Sequence, residues 1–291
     1  MELRTKVTSV LVFFLTLAFL RVTDSSISWS NTLLFFVSML LFDCATTALN
    51  NYLDTKTNGL TLPFPRITAK RILFVLVGMS TALGLFLAWR TDAVVLLVGA
   101  LCFACGILYT WGATPISRLP LGEVFSGLFY GLLIPFLLLQ INHPGEILSL
   151  QADWHAVQIV LLLPALISLL LLSTGPVMAT ANIMLANNLC DLDRDVQVGR
   201  FTLPYYLKQA ALPLFRCLYY FTYPAFTILV LWLKLSPLCL LYWLTLLPVE
   251  RNIRRFCKLQ DKTLTFPLAV KNYVLLIGSQ TILLFASSFL L

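Results

Sequence analysis

The apolar residues of this chain do not alternate with polar ones; they run in long blocks that end at short clusters of charge and amide. A helix that crosses a bilayer needs about 20 largely apolar residues, whereas a helix packed on a soluble core shows only an apolar stripe. Stretches at 6–22, 31–53, 72–90, 93–111, 122–140, 156–190, 210–233, 236–250 and 267–290 meet or approach that length. They predict an all-α, polytopic membrane protein with nine spans, a single domain over residues 1–291. The sixth stretch is too long for a straight span. It is expected to tilt or kink around Gly175 and Pro176 and to pass beyond the bilayer at its far end. The first has the basic start and apolar run of a signal peptide, but no A-x-A-like cleavage site follows, so it is read as span one.

Composition agrees: 59% of the residues are hydrophobic, 11% are charged and the mean hydropathy is +0.88, well outside the range of soluble domains. The net charge of +7 changes the picture more. With a cytoplasmic N terminus, only Arg21, Arg90 and Lys234 of the 20 Lys and Arg fall on the outer side. This bias places a multi-pass protein in the cell (plasma) membrane with its basic face on the cytoplasm. Such a face suits the inner leaflet or an anionic substrate, and without aromatic-basic interleaving no nucleic-acid partner is expected. The seven cysteines are odd in number and mostly lie in apolar stretches, which argues against a disulfide framework. "CFAC" at 102–105 is read as packing on an apolar helix rather than a redox pair.

Against this background "NNLCDLDRD" (187–195) is exceptional, and "NNYLD" (50–54) matches it at the first, second and fifth positions. Both close apolar stretches that end on the cytoplasmic side. Helical spacing puts Asn187, Asp191 and Asp195 on one stripe, with Asp193 pointing elsewhere, and likewise aligns Asp43, Asn50 and Asp54. Asp43 lies deeper in its span, so it is either a buried structural acid or a polar group lining a substrate cavity. Carboxylates gathered this way repel unless a cation joins them, and Mg2+ takes one or two carboxylates together with amide, water and substrate phosphate oxygens. Arg66, Lys70 and Arg71 follow the first cluster, and Arg200 and Lys208 the second, as counter-charges for phosphate.

These residues resemble the UbiA superfamily of intramembrane aromatic prenyltransferases. "FDCATTALNNYLDTKTNG" (42–59) and "ANNLCDLDRDVQVGRFTLPYYL" (186–207) occupy the places of its two Asp-rich motifs, after spans two and six of a nine-helix bundle. "YTWGATPISRLPLGEVFSGLFYG" (109–131) looks like its Tyr-containing loop. The second motif is similar to that of the dihydroxynaphthoate prenyltransferases of menaquinone biosynthesis. Departures are Asn51 and Asn58 where acids are typical, and Ala113 where a basic residue is usual, for which Arg118 is a substitute.

The resemblance implies transfer of a polyprenyl group from its diphosphate to an aromatic acceptor, foremost 1,4-dihydroxy-2-naphthoate. It implies Mg2+ on Asn50, Asp54, Asp191 and Asp195, with Asn51, Asn187, Asn188, Arg66, Lys70, Arg118 and Arg200 binding substrate. Asp43 or Tyr109 would orient the phenol or accept its proton. The alternatives are another acceptor such as 4-hydroxybenzoate, a family member that has lost activity, and a polyisoprenoid binder or transporter. A transporter would place its ionisable residues near the midplane, whereas most acids here sit at one edge. His143 and His155, with Glu146 and Asp153, match no metal-ligand spacing.

Overall fold

The computed structural model describes residues 3–57, 62, 64–112 and 115–290. The chain forms α1 (Leu3–Val22), α2 (Trp29–Thr57), α3 (Arg66–Arg90), α4 (Ala93–Thr110), α5 (Gly122–Leu128), α6 (Ile134–Asn142) and α7 (Leu163–Cys190). The short helices α8 (Leu192–Gln197) and α9 (Leu203–Leu207) lead to α10 (Ala211–Trp232), α11 (Leu246–Lys258) and α12 (Phe266–Ser287). A π-helical turn at Phe129–Leu133 joins α5 to α6 without a break. Among the described residues, seven continuous helices are long and apolar enough to cross a membrane. The class is therefore all-α and membrane-spanning. The first expected stretch is α1, and the eighth becomes a 3-10 helix, Pro237–Thr245, running into the amphipathic α11.

The sixth stretch differs from expectation. Its first residues form not helix but a strand, β2 (Val157–Leu161), antiparallel to β1 (Leu148–Ala152) in a two-stranded hairpin. The Asp153 carboxylate turns the chain by accepting from the amides of His155 and Ala156, both at 2.7 Å. The excess length thus belongs to the hairpin, and α7 keeps Pro176 inside a 28-residue helix.

The chain divides into two units. The first comprises residues 1–9, 27–116 and 137–162. Here α2 packs on α3 through the Ser38 hydroxyl, which donates to the Ser80 carbonyl at 2.9 Å, and on α4 where Phe42 stacks on Phe103. A polar tie joins the start of α1 to α2. The Lys6 ammonium donates to Asp43 Oδ1 and Thr47 Oγ1, both at 2.7 Å, and the Ser9 hydroxyl to Asp43 Oδ2 at 2.8 Å. Both carboxylate oxygens of Asp43 thus have partners, which supports the structural one of its two readings. At the other end, Gln140 donates to Asp92, which itself caps α4 through the Val95 amide.

The second unit comprises residues 10–26, 117–136 and 163–291, with α7 at its centre. Gly127 and Gly131, spaced as in the small-xxx-small pattern of membrane helix pairs, let the α5 segment lie directly on α7. A Cβ at Gly131 would sit 2.3 Å from the Val177 amide nitrogen. On the far sides, α7 packs against α10 and α12. The buried Asn182 amide donates to the Phe215 carbonyl at 3.0 Å, and Tyr219, Tyr223, Tyr242 and Tyr273 fill the core. Tyr242 donates to Thr222 at 3.0 Å and Asn252 to Asn272 at 2.8 Å. The seven cysteines are free thiols.

Two outcomes follow in thermal unfolding of the detergent-purified protein. Gly131→Ala is expected to destabilise by about 1–3 kcal/mol through backbone overpacking, while Gly78→Ala, with nothing within 4 Å of the added carbon, is neutral or slightly stabilising. Lys6→Met, by stranding the buried Asp43 carboxylate, is expected to cost about 3–5 kcal/mol, and adding Asp43→Leu should recover much of that loss.

Candidate active site

The second Asn-Asn-x-x-Asp cluster is built at the end of α7. The helix gives way at Asp191 and α8 begins immediately, yet helical hydrogen bonding continues through the junction. The Asp191 amide donates to the Asn187 carbonyl at 3.1 Å, and the Asp195 amide to the Asp191 carbonyl at 2.8 Å. Asn187, Asp191 and Asp195 therefore remain one turn apart on a shared stripe, and Asp193 is exposed on another face. Beyond α8, Gly199 takes φ +69°, in the left-handed region glycine tolerates. That turn brings the Arg200 amide back to the Asp195 carbonyl at 2.8 Å. The Arg200 Nε donates to the Ser117 carbonyl at 2.9 Å, and its guanidinium lies 3.7 Å from Asp195 Oδ1. Arg118, on the adjoining 3-10 turn, is exposed.

Asp195 is 5% exposed, and its Oδ2 is buried with no hydrogen-bond partner. Burial pushes its carboxyl above the usual range, an effect that Arg200 opposes. Asn188 is buried as well and donates to Glu123 Oε1 at 2.9 Å, while Glu123 Oε2 is also buried without a partner. Asn187 Nδ2 donates to Asn188 Oδ1 at 3.5 Å. A side chain from the loop between α11 and α12 completes the cluster: the Lys262 ammonium donates to Asn187 Oδ1 at 2.5 Å and pairs with Asp191 Oδ2.

The first cluster ends α2 in the other unit. Asn50 is partly buried and Asn51 exposed. Asp54 lies in the last turn of α2, its side chain outside the described part, and Asn58 and Ala113 lie outside the described residues. From the start of α3, Arg66 donates to the Tyr52 carbonyl at 3.0 Å and lies 4.7 Å from the centre of the Tyr52 ring. Lys70, one turn on, is exposed with its ammonium over Phe74. Tyr109 is placed by the contact of Gly106 with Phe42 and Thr46, where an added Cβ would meet Phe42 at 2.7 Å. Tyr109 and Asn50 each lie about one turn past that crossing.

Among the described residues no group of three or more His, Cys, Asp or Glu forms a metal site. The second cluster nevertheless suits a hard cation: its donors are oxygens, one buried carboxylate oxygen lacks a partner, and an ammonium has been drawn onto the same stripe. Asn187, Asp191 and Asp195 are the residues of this cluster that would hold it. Two participants have no role assigned from the sequence. Lys262 is one of six basic residues from Arg251 to Lys271, with no spacing to distinguish it. Glu123 did leave a signal, as an acid at the head of an apolar helix.

The model of the UbiA prenyltransferase family matches residues 10–263. The 1,4-dihydroxy-2-naphthoate octaprenyltransferase of Bacillus subtilis (strain 168) is 28% identical over 188 residues, 59% of this chain and 54% of that protein. The enzyme of the same name from Mycobacterium leprae (strain TN) is 31% identical over 156 residues, 52% of this chain and 45% of that protein. The chain thus spans about half the length of these curated relatives. A UbiA homologue from Aeropyrum pernix K1 superposes with a TM-score of 0.68 at 18% identity, over 94% of this chain and 96% of that one. A homologue from Archaeoglobus fulgidus bound to DMAPP and Mg2+ gives 0.60 at 12% identity, over 98% of each chain. Sequence and fold agree: the chain belongs to the UbiA prenyltransferase family.

Proposed function

We propose that this protein transfers a polyprenyl group from a polyprenyl diphosphate to 1,4-dihydroxy-2-naphthoate, releasing diphosphate and CO2 and giving the quinol form of demethylmenaquinone. The observation that carries this reading is the second cluster, where Asn187, Asp191 and Asp195 share a stripe bordered by Lys262 and Arg200. The naphthoate is chosen because both curated relatives carry that acceptor in their names.

In this scheme the second motif binds with Asp191 and Asp195, and the first with Asn50 and Asp54. Mg2+ held by these residues would supply Lewis acidity to the diphosphate leaving group. Arg200, held by the Ser117 carbonyl and Asp195, presents a fixed positive charge to the departing diphosphate, and the resemblance assigns Arg66, Lys70 and Arg118 to the same task. Asn51 and Asn187 offer amides to phosphate oxygens. Asn188 acts differently: its amide is committed to Glu123, so it positions Asn187.

The allylic C–O bond breaks with its electron pair passing to diphosphate. The electron-rich ring carbon then bonds to the allylic carbon, and the ring–carboxylate bond breaks with its electron pair restoring aromaticity as CO2 leaves. The orienting of the acceptor phenol is assigned to Tyr109, as the family resemblance implies. Asp43 has no part in the scheme, because Lys6 and Ser9 occupy both of its oxygens. The tail dissolves in the bilayer around the apolar helices, and the charge bias puts the reactive mouth and N terminus on the cytoplasmic side of the plasma membrane.

The test is prenyl transfer by the protein in nanodiscs, with dihydroxynaphthoate or hydroxybenzoate offered beside a polyprenyl diphosphate. Product is expected from the naphthoate alone, abolished by EDTA, and reduced about 100-fold or more in Asp191→Ala. Product from hydroxybenzoate alone would replace the acceptor. Diphosphate binding with no product from either ring would replace the enzymatic reading with a binding role.

A further inference from the structure

Lys262 stands where the proposed reaction needs a removable charge. Its ammonium is held by Asn187 Oδ1 and Asp191 Oδ2, two oxygens of the stripe that suits a cation. Its backbone is anchored by a tight turn: Asp261 Oδ1 accepts from the Thr263 and Leu264 amides at 2.8 and 2.7 Å, and the Asp261 amide donates to the Thr265 hydroxyl at 2.9 Å. The ammonium can therefore leave Asp191 by side-chain rotation while the turn stays in place. The pair is accessible, with the lysine side chain 43% exposed and that of Asp191 26%, and ion pairs so open to water are weak and readily exchanged.

The contrast with Arg200 is informative. That guanidinium is fixed by a backbone carbonyl as well as by Asp195, whereas lysine is a compact point charge on a flexible stem. Charge balance points the same way. Lys262 and Arg200 together offset the charges of Asp191 and Asp195, so a divalent ion added to this set leaves two positive charges in excess. Either Lys262 withdraws, or a polyanion arrives to take up the surplus.

We propose that Lys262 is the resident counter-cation of the second acidic motif, competing with divalent metal for Asp191 and, once displaced, donating to the substrate diphosphate. The proposal rests on the metal–diphosphate reading of this site and adds to it a residue with two opposed effects. Lys262 weakens binding of metal alone and strengthens binding of metal with diphosphate. A lysine serving only to hold the loop would do neither.

The experiment measures Mn2+ binding by electron paramagnetic resonance, and geranyl diphosphate binding in the presence of Mg2+ by calorimetry. It uses the full chain in nanodiscs as wild type, Lys262→Met, Lys262→Arg and Asp191→Ala, with Lys271→Met as a charge control. Lys262→Met is expected to bind Mn2+ roughly fivefold more tightly and geranyl diphosphate roughly fivefold more weakly, and Lys262→Arg to follow wild type on Mn2+. Unchanged or weaker Mn2+ binding in Lys262→Met, or an equal gain in Lys271→Met, overturns the competition. Unchanged geranyl diphosphate binding overturns the donor role. Wild type that binds Mn2+ no better than Asp191→Ala overturns the metal site itself, and with it the reading on which the proposal stands.

Discussion

Water is missing from the interior of a membrane-spanning bundle, so each polar group placed there must find its partner within the protein. In this chain the partners come from other helices. Lys6 of α1 meets Asp43 of α2, Gln140 of α6 meets Asp92 at the head of α4, and Asn182 of α7 meets the Phe215 carbonyl of α10. These contacts fix helix register where apolar packing alone discriminates poorly, because lipid tails are as apolar as leucine. The direct approach of Gly127 and Gly131 to α7 adds a steric constraint to the polar one.

The same rule makes its exceptions informative. Two buried carboxylate oxygens are left without hydrogen-bond partners among the described residues, one on Glu123 and one on Asp195. Glu123 touches Asn188, and Asp195 ends the stripe that carries Asn187 and Asp191. Both of these carboxylate oxygens thus lie in or beside the second motif. The cations beside it differ in kind: Arg200 is built into the fold, and Lys262 reaches in from a loop. Counter-charges of which one can be rearranged suit an exchangeable anionic or cationic ligand better than a permanent structural ion pair would.

Much of this was legible in the amino-acid order because the relevant periods are short. The stripe of Asn187, Asp191 and Asp195 needs little more than two helical turns, and it survives the junction at Asp191 because amide hydrogen bonds continue across it. The hairpin at 148–161 was not legible, since a short apolar strand and the start of an apolar helix have the same composition. Asp43 was ambiguous because its partner lies 37 residues away on another helix. Lys262 was one basic residue among several until the loop carrying it was placed beside α7, more than 70 positions earlier.

By itself the sequence determined the class of the protein, most of its apolar blocks and the oxygen-rich turn at 187–195. Those properties follow from composition and local helical spacing. Only the tertiary structure decided that Asp43 is tied to Lys6, that Asn188 is committed to Glu123 and that Lys262 rests on Asp191. Each of those joins groups far apart in the chain, and a pairing of that kind is set by which helix faces pack together, a choice no local pattern records.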